Sequence, residues 1–292
     1  MKIKKHVQSW LYKNYPSSKT AISSFFEKHN FLRKILFIGR SPTFAGWGMT
    51  TCTAPPWGVE QKLGVIEDDY GLTHNKLVDL VASRNFCLSQ FKESNALEML
   101  DSLRWRHYLV YWSSHYAIVN TRVATKNLVE CGVCDGLTSF YAMSAASNQT
   151  KNWAAYLYDA WAEMREDLLL ASEKKNKMSY DYLDVQVTKK NLELFQSHVT
   201  FNKGFIPESF AISQNPDSIV WLHIDLNSAT PTLAALDFFW DRLECGGVIL
   251  FDDYNWIGYE DTKKVILDWL STKAGTLLPL PTGQAIIFKA ND

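Results

Sequence analysis

The pattern of hydrophobic and polar residues changes near residue 120. Beyond this point, short apolar runs alternate with amphipathic segments, a pattern typical of a sheet of parallel strands connected by helices. The apolar runs predict strands at 127–130, 153–158, 198–201, 218–224 and 247–251, and the segments between them predict helices at 137–146, 182–195, 229–243 and 259–270. Two further runs, at 276–280 and 284–288, flank a Pro-Thr-Gly turn, so we expect the chain to close with an antiparallel hairpin.

The first 120 residues form a separate region in this pattern. Residues 41–60 are rich in Gly, Pro and Thr and predict an irregular loop, whereas residues 76–120 are largely helical in pattern. Residues 1–40 contain nine Lys or Arg and one Glu, a net charge of +8. Such a basic arm is typical either of docking on an acidic partner, a membrane surface or a second copy of the chain, or of a solvated helical extension. We therefore predict a helical and loop region over 1–120 and an α/β domain over 121–292.

The composition excludes several classes of protein. The chain has 292 residues, of which 47% are hydrophobic and 21% charged, so it can bury a packed core and is not disordered throughout. No apolar run reaches the ~20 residues that span a bilayer, and the N-terminus has no secretory signal pattern. The 30 Lys and Arg balance 31 Asp and Glu, which argues against an obligate nucleic-acid binder. We expect a cytoplasmic globular protein without an integral membrane segment.

Acidic residues follow four of the five predicted parallel strands. They are Glu130, Asp159, Asp225 and the pair Asp252 and Asp253. In an open parallel sheet, ligands bind outside the carboxyl ends of the strands. Unpaired carboxylates are costly there unless they bind hydroxyl groups, cations or a metal. The sequence therefore predicts a binding site for such groups at this edge of the sheet.

A glycine-containing turn follows the first of these strands. Gly132 and Gly136 allow the chain to bend sharply and a ligand to approach closely, but their spacing matches neither a dinucleotide-binding turn nor a P-loop. Glu130 would repel a diphosphate, yet it suits the cationic amino-acid end of S-adenosylmethionine. Asp159 has the position of a carboxylate that accepts ribose hydroxyl groups. An ordinary tight turn and a helix N-cap at Asp159 are the alternative interpretations.

Asp225, Asp252 and Asp253 are expected to converge, because the fourth and fifth strands are neighbours in the usual order of such sheets. Three carboxylates so close together repel one another unless a cation or a proton intervenes. Hard oxygen ligands favour Mg²⁺ or a similar divalent ion, so the sequence predicts a metal site here. In the alternative interpretation, Asp225 caps the following helix and the other two aspartates lie in a solvated turn.

Several segments resemble the macrocin O-methyltransferase family. They are LVECGVCDG, FNKGFIPESF and WLHIDLNSATPTLAALDFFWDRLECGGVILFDDY, together with the closing helix and hairpin, and they span residues 120–290. The resemblance implies a Rossmann-like class I methyltransferase fold, with a mostly parallel seven-stranded sheet and a C-terminal antiparallel hairpin. It also implies an S-adenosylmethionine-dependent enzyme, assisted by a divalent metal, that methylates a hydroxyl group of a sugar or glycosylated small molecule.

The same resemblance implies the residues of the site. The cofactor residues would be Glu130, Gly132, Gly136, Ser139, Asp159 and Gly204, and the metal ligands would be Asp225, Asp252 and Asp253. The N-terminal region would help to shape the acceptor site. The chain departs from the family at Cys134-Asp135, where an aromatic residue and an arginine are usual, and at Ala160-Trp-Ala-Glu163, which replaces Ser-Phe-Glu-Gly.

The implied reaction needs an acceptor oxygen aligned with the methyl group and a base for its proton. Mg²⁺ held by the three aspartates would orient two vicinal hydroxyl groups of the acceptor. Asp225 is the candidate general base, and His223 is an alternative. We also expect the enzyme to be a homodimer.

Two other classes of protein stay open. Cys131 and Cys134 form a CxxC at the start of a helix, which is the placement of a thiol–disulfide oxidoreductase motif. The neighbouring acids Glu130 and Asp135 argue against that role, because negative charge raises the pKa of a thiol. The second class is a non-catalytic binding protein that keeps the cofactor fold.

Overall fold

The computed structural model describes residues 43–45, 48–50 and 104–290, except 178, 179, 257 and 281. The predicted basic arm over 1–40 lies outside the described residues, and so does the part of the predicted helical stretch that precedes residue 104. Within the segment predicted to be an irregular loop, two three-residue strands, β1 (Thr43–Ala45) and β2 (Gly48–Thr50), pair with each other.

The remaining elements alternate between strand and helix. The strands are β3 (Lys126–Cys131), β4 (Trp153–Asp159), β5 (Val199–Lys203), β6 (Ile219–Ile224), β7 (Leu243–Phe251), β8 (Gly275–Pro279) and β9 (Ala285–Lys289). The α-helices are α1 (Arg104–Asn120), α2 (Leu137–Gln149), α3 (Val185–Asn191), α4 (Ala229–Phe239) and α5 (Glu260–Leu270). Every strand predicted beyond residue 120 is therefore present.

The larger sheet has seven strands in the order β5-β4-β3-β6-β7-β9-β8. The first five are parallel to one another, and β9 is antiparallel to both β7 and β8. This arrangement confirms the predicted α/β fold with a C-terminal antiparallel hairpin. The chain moves outward from β3 to β5 and then returns to β6 on the other side of β3. The point where the strand order reverses, between β3 and β6, is where such sheets bind ligands.

Helices cover both faces of the sheet, and each face has its own hydrophobic core. On one face, α1 and α2 contribute Val110, Ala117 and Phe140 to a core that includes Leu128 and Trp221. On the other face, α4 and α5 pack against the opposite sides of the same strands. All six residues of β6 are buried, as expected for a central parallel strand that is covered on both faces.

Helix α1 packs against the sheet, although the sequence analysis assigned its residues to the N-terminal region. Val110 and Ala117 are fully buried in its core-facing side. The indole Nε1 of Trp221, in the middle of β6, donates to the hydroxyl of Ser113 on α1 over 2.9 Å. This hydrogen bond and the packing around it hold α1 against the central strands.

Two predicted helices differ in length from the observed ones. The segment predicted as a helix over 182–195 divides into α3 and a 3₁₀ turn at Glu193–His198. Helix α4 ends at Phe239 rather than at residue 243, because Leu243 already pairs with Ile219 at the start of β7. The pairing is possible because the register of β6 and β7 shifts after Ile219 and Gly246 adopts a φ of +79°. Among the described residues, no helix is both long enough and apolar enough to cross a membrane.

The β3–α2 turn requires glycine for a reason that the sequence did not show. Gly132 has a φ of +87°, and a Cβ placed on it would lie 1.8 Å from the backbone carbonyl oxygen of Asp225. Around this point the backbone N–H of Asp225 donates to the Cys131 carbonyl over 2.9 Å. Gly132 is therefore needed for the close approach of the two central loops, independently of any ligand.

We predict that Gly132→Ala destabilises the protein by about 2–5 kcal/mol, since it adds a backbone clash to the strain of a positive φ. Gly136→Ala is the matched control, because Gly136 has a φ of +95° but its Cβ would meet only side-chain atoms of Leu192 and Thr188, at 3.0–3.2 Å. The control should lose only about 1–2 kcal/mol. Urea unfolding of both variants measures the difference, and equal losses would contradict this account of Gly132.

Candidate active site

Three carboxylates converge at the carboxyl edge of the sheet. Asp225 follows β6, and Asp252 and Asp253 follow β7. One carboxylate oxygen from each residue lies within 4.8 Å of those of the other two. Asp252 and Asp253 are buried, whereas the Asp225 side chain keeps 22% of its surface exposed. Asp225 is thus the member of the cluster that solvent or a small molecule can reach most easily.

A residue that the sequence interpretation missed, Arg106, lies against this cluster. Its Nε donates to both oxygens of Asp252, over 3.0 and 3.2 Å, and its Nη2 donates to Asp252 over 2.7 Å. The same Nη2 also donates to Oδ2 of Asp225 over 3.1 Å. The side-chain amide of Gln284 supplies a further donor to Asp252, over 2.8 Å. Asp252 is therefore saturated by protein donors.

The pKa values of the three carboxylates differ as a result. Burial raises the pKa of Asp225 well above its usual range, and the neighbouring Asp252 and Asp253 raise it further. Burial and Asp252 together raise the pKa of Asp253 to about 7. Burial would also raise the pKa of Asp252, but Arg106 and His223 more than offset it, so this pKa lies below its usual range. Arg106 therefore offsets the charge of Asp252 most strongly, and those of Asp225 and Asp253 less.

Glu130 points into the core rather than toward the carboxyl edge. One oxygen accepts a short hydrogen bond from the Ser139 hydroxyl, and the other lies 2.8 Å from Nδ1 of His223. The Glu130 side chain is 1% exposed and His223 is fully buried. In the sheet register Glu130 and His223 are direct neighbours on β3 and β6. Glu130 and Ser139, both predicted as cofactor residues, are thus engaged with the protein itself.

His223 occupies the middle of a row of buried charges. Its Nε2 lies 3.9 Å from Asp252 and has no hydrogen-bond partner within the part of the chain that the structure describes. Burial lowers the pKa of His223, but its two carboxylate neighbours outweigh that effect, so the pKa is raised. Residues Glu130, His223, Asp252 and Arg106 therefore alternate in charge across the sheet.

Asp159 ties two loops together. One oxygen accepts from the backbone N–H groups of Val133 and Cys134, over 2.7 and 2.8 Å, and the other accepts from Trp161 over 2.6 Å. Burial raises the pKa of Asp159 in spite of these three bonds. The backbone carbonyl of the same residue accepts from Gly204 over 2.9 Å. Asp159 thus fixes the turn between β3 and α2, which begins at Gly132 and ends at Gly136.

Polar and aromatic groups surround Asp225 and Asp253. The backbone N–H of Asn227 donates to Asp253 over 2.9 Å, and its side-chain oxygen accepts from the hydroxyl of Tyr259 over 2.9 Å. Asn227 holds this position with a φ of +57°, which is uncommon outside glycine. Burial and the nearby Asp225 and Asp253 raise the pKa of Tyr180 and Tyr259. Both phenols therefore keep their protons at neutral pH.

Most predicted site residues do lie at this edge, in two groups. Gly132, Gly136, Asp159 and Gly204 border the β3–α2 turn, and Asp225, Asp252 and Asp253 form the acidic cluster beside it. No motif in the sequence pointed to Arg106, which is 146 residues away from Asp252 in the chain. The alternation of His223 with Ile224 along β6 was the sequence signal for a buried structural histidine.

Comparison with known proteins agrees with the sequence resemblance. Residues 129–254 match a family described as a methyltransferase domain. Among curated proteins, none has a sequence that matches this chain significantly. The matched segment runs from β3 to the end of the acidic cluster, so it includes the turn, Asp159 and all three aspartates. The match agrees with the predicted methyltransferase domain.

Two solved structures share the fold. The O-methyltransferase NovP superposes with a TM-score of 0.58 and 14% sequence identity, over 76% of this chain and 100% of that one. The calicheamicin methyltransferase CalS11 gives a TM-score of 0.53 and 12% identity, over 79% of this chain and 100% of that one. At such identities the likeness shows the fold, and it confirms the predicted class I methyltransferase architecture.

Glu130→Ala is predicted to destabilise the protein by about 3–5 kcal/mol, because it leaves the buried His223 with one distant carboxylate. Chemical unfolding followed by tryptophan fluorescence measures this loss. Glu193→Ala, a change of an exposed glutamate in the 3₁₀ turn, is the control and should be nearly neutral. If Glu130→Ala kept wild-type stability, the charge alternation across β3 and β6 would not be a stabilising feature.

Proposed function

We propose that this chain, whose residues 129–254 match a methyltransferase domain, is an S-adenosylmethionine-dependent O-methyltransferase. It acts on a hydroxyl group of a sugar or glycosylated small molecule and is assisted by a divalent metal. The observation that carries this proposal is the convergence of Asp225, Asp252 and Asp253 beside the β3–α2 turn. This convergence supports binding of the methyl donor and of the acceptor at the same edge of the sheet, where the strand order reverses.

The turn between β3 and α2 supports a role in cofactor binding. A carboxylate has about four acceptor positions, and three of those on Asp159 are used by backbone N–H groups. We infer that the remaining one accepts a ribose hydroxyl group. Gly132 and Gly136 bring the backbone of the turn close to this position. Glu130 has both oxygens engaged, so we assign it to holding Ser139 and His223 rather than to touching the cofactor.

The charge of the cluster fits a divalent metal. When all of them are ionised, the four carboxylates of Glu130, Asp225, Asp252 and Asp253 face only Arg106 and a protonated His223, which leaves an excess of two negative charges. The raised pKa values of Asp225 and Asp253 are consistent with this excess. A divalent ion matches that excess, and carboxylate oxygens are the ligands that Mg²⁺ prefers. We propose Asp225 and Asp253 as the main ligands; Asp252 would join them only after losing one of its donors from Arg106 or Gln284. When bound, the ion would orient acceptor hydroxyl groups and stabilise a developing alkoxide.

Asp225 is the proposed general base. It is the most exposed of the three aspartates, so an acceptor reaches it first. As the acceptor oxygen bonds to the methyl carbon, its proton moves to a carboxylate oxygen of Asp225 and the carbon–sulfur bond of the donor breaks. His223 is fully buried behind Asp252, and this position disfavours it as the base.

The surroundings of Asp225 suit an acceptor rich in hydroxyl groups. Tyr180 and Tyr259 are both partly exposed and lie in the electrostatic field of Asp225 and Asp253. The Tyr259 hydroxyl donates to Asn227, and its oxygen can accept from a hydroxyl group of the acceptor. The rings of both tyrosines offer flat apolar surfaces for a sugar face. A methylation screen over glycosides with radiolabelled S-adenosylmethionine would identify the acceptor. We further propose a cytoplasmic homodimer, whose mass sedimentation equilibrium would determine.

The alternative functions are less well supported. Cys131 is fully buried, and burial together with Glu130 and Asp159 raises the pKa of its thiol well above the usual range. A thiol–disulfide oxidoreductase needs a thiol with a lowered pKa, so this site disfavours redox chemistry. A non-catalytic cofactor-fold protein would bind S-adenosylmethionine without transferring its methyl group to any acceptor in the screen.

Asp159→Ala is predicted to weaken S-adenosylmethionine binding by about 1–3 kcal/mol, because it removes a charged acceptor and releases the turn. Isothermal titration calorimetry measures the affinity. Asp217→Ala changes an exposed aspartate that precedes β6, at the opposite edge of the sheet, and should leave the affinity unchanged. Wild-type affinity in Asp159→Ala would place the cofactor elsewhere.

Asp225→Asn should abolish methyl transfer while S-adenosylmethionine binds with nearly wild-type affinity, since Asp225 serves the acceptor side. EDTA should reproduce the loss in the wild type, and added Mg²⁺ should reverse it. Turnover and titration calorimetry together test both points, with Asp268→Asn, an exposed aspartate paired with Lys264, as the control. Full activity in EDTA would show that the carboxylates work without a metal.

A further inference from the structure

Arg106 has all of its donor groups engaged, and its partners come from three different parts of the site. Nε and Nη2 bond to Asp252, and Nη2 also reaches Asp225. Nη1 donates to the hydroxyl of Thr138 over 3.2 Å and lies 3.5 Å from Nε2 of His107. Thr138 is in the first turn of α2, directly after the glycine turn. One guanidinium therefore connects the acidic cluster to the turn assigned to the cofactor.

We propose that Arg106 is a positioning residue of this active site: it holds Asp225 and Asp252 at a set distance from the β3–α2 turn, and its positive charge limits how tightly the cluster binds a divalent cation. This inference rests on the proposed function. It assigns a role in the reaction to α1, which lies outside the matched methyltransferase domain at 129–254.

The geometry supports the positioning part. Arg106 is the third residue of α1, and the helix behind it is anchored by buried residues such as Val110 and by the Ser113–Trp221 hydrogen bond. The planar, forked guanidinium matches a carboxylate in a way that the point charge of lysine cannot. Since Arg106 bonds to residues after β6 and β7 and to the start of α2, a shift of its side chain would move the acceptor-side carboxylates relative to the methyl donor.

The charge balance supports the second part. Arg106 is 7% exposed, so its interaction with the two aspartates is only weakly screened by solvent. It bonds mainly to Asp252 and shares one contact with Asp225, so a single positive charge faces three carboxylates. Without it, all three aspartates would lack an arginine partner and would attract a divalent ion more strongly. We therefore expect Arg106 to lower the affinity of the three aspartates for a divalent ion while it fixes their geometry.

The test is a titration of the purified full chain with Mn²⁺, followed by electron paramagnetic resonance of the free ion. Arg106→Met should bind Mn²⁺ about tenfold more tightly than the wild type or better, because one positive charge is lost within a few ångströms. Its turnover, with an acceptor from the glycoside screen, should fall about 100-fold, as expected for misplaced reacting groups. S-adenosylmethionine affinity should change less than about threefold, since the bonds of Asp159 to the turn remain.

Arg106→Lys separates the two parts of the proposal. It keeps the charge but not the fork, so Mn²⁺ affinity should stay within about threefold of the wild type while turnover falls about tenfold. Wild-type turnover in Arg106→Lys would overturn the positioning role. Arg122→Met, an exposed arginine just after α1, is the matched control and should change neither quantity.

A double variant covers the case in which Arg106→Met fails to fold. Arg106→Met with Asp252→Asn removes one charge of each sign, which restores the net charge and leaves Asp225 and Asp253 in place. Its Mn²⁺ affinity should return to within about threefold of the wild type. Tight Mn²⁺ binding by the double variant, at the level expected for the single one, would overturn the charge argument.

The outcomes also separate this inference from the proposed function. Mn²⁺ binding by Arg106→Met but not by the wild type would support the charge role of Arg106 and refute the metal part of the proposed function. Equal or weaker Mn²⁺ binding by Arg106→Met, or binding by neither protein, would overturn the inference, whatever the acceptor screen finds.

Discussion

Repulsion among carboxylates at the carboxyl edge of the sheet is the constraint on which the arrangement of the site depends. Parallel strands end at the same edge, so the acids that follow them meet there. The protein balances them with interleaved cations: His223 lies between Glu130 and Asp252, and Arg106 lies between Asp252 and Asp225. Because isolated buried charges are very costly, such a row is stable only when each member has its partner.

The alternation of side chains along the strands determines which acidic residues lie in the buried row and which can still bind a ligand. Glu130 and His223 are paired in the register of β3 and β6, so both side chains point toward the face covered by α1 and α2. Asp225 and Asp253 come just beyond the ends of β6 and β7. Asp225 shares the single Arg106 guanidinium with Asp252, so we propose that Asp225 and Asp253 are the residues that bind a ligand. Glu130 and His223 therefore stabilise the fold, whereas Asp225 and Asp253 are the residues proposed to take part in the reaction.

The helix before the matched domain completes this arrangement. Helix α1 packs on the central strands through Val110 and Ala117 and delivers Arg106 to the acidic cluster. The β3–α2 turn is held from the other side, by Asp159 and by the close approach of Gly132 to Asp225. The acceptor side and the cofactor side of the proposed site are thus joined through both backbone and side-chain contacts.

The sequence by itself determined the order and type of the elements beyond residue 120, since buried parallel strands require apolar runs and their connecting helices require amphipathic ones. It also predicted that Asp225, Asp252 and Asp253 meet, because strand ends converge whatever the details of packing. Only the tertiary structure decided which way Glu130 points and that the carboxylate of Asp159 accepts hydrogen bonds from backbone N–H groups. It alone brought Arg106 to Asp252, since a contact across 146 residues leaves no local pattern in the chain. Side-chain partners depend on register, pleat and packing, and these exist only once the sheet has formed.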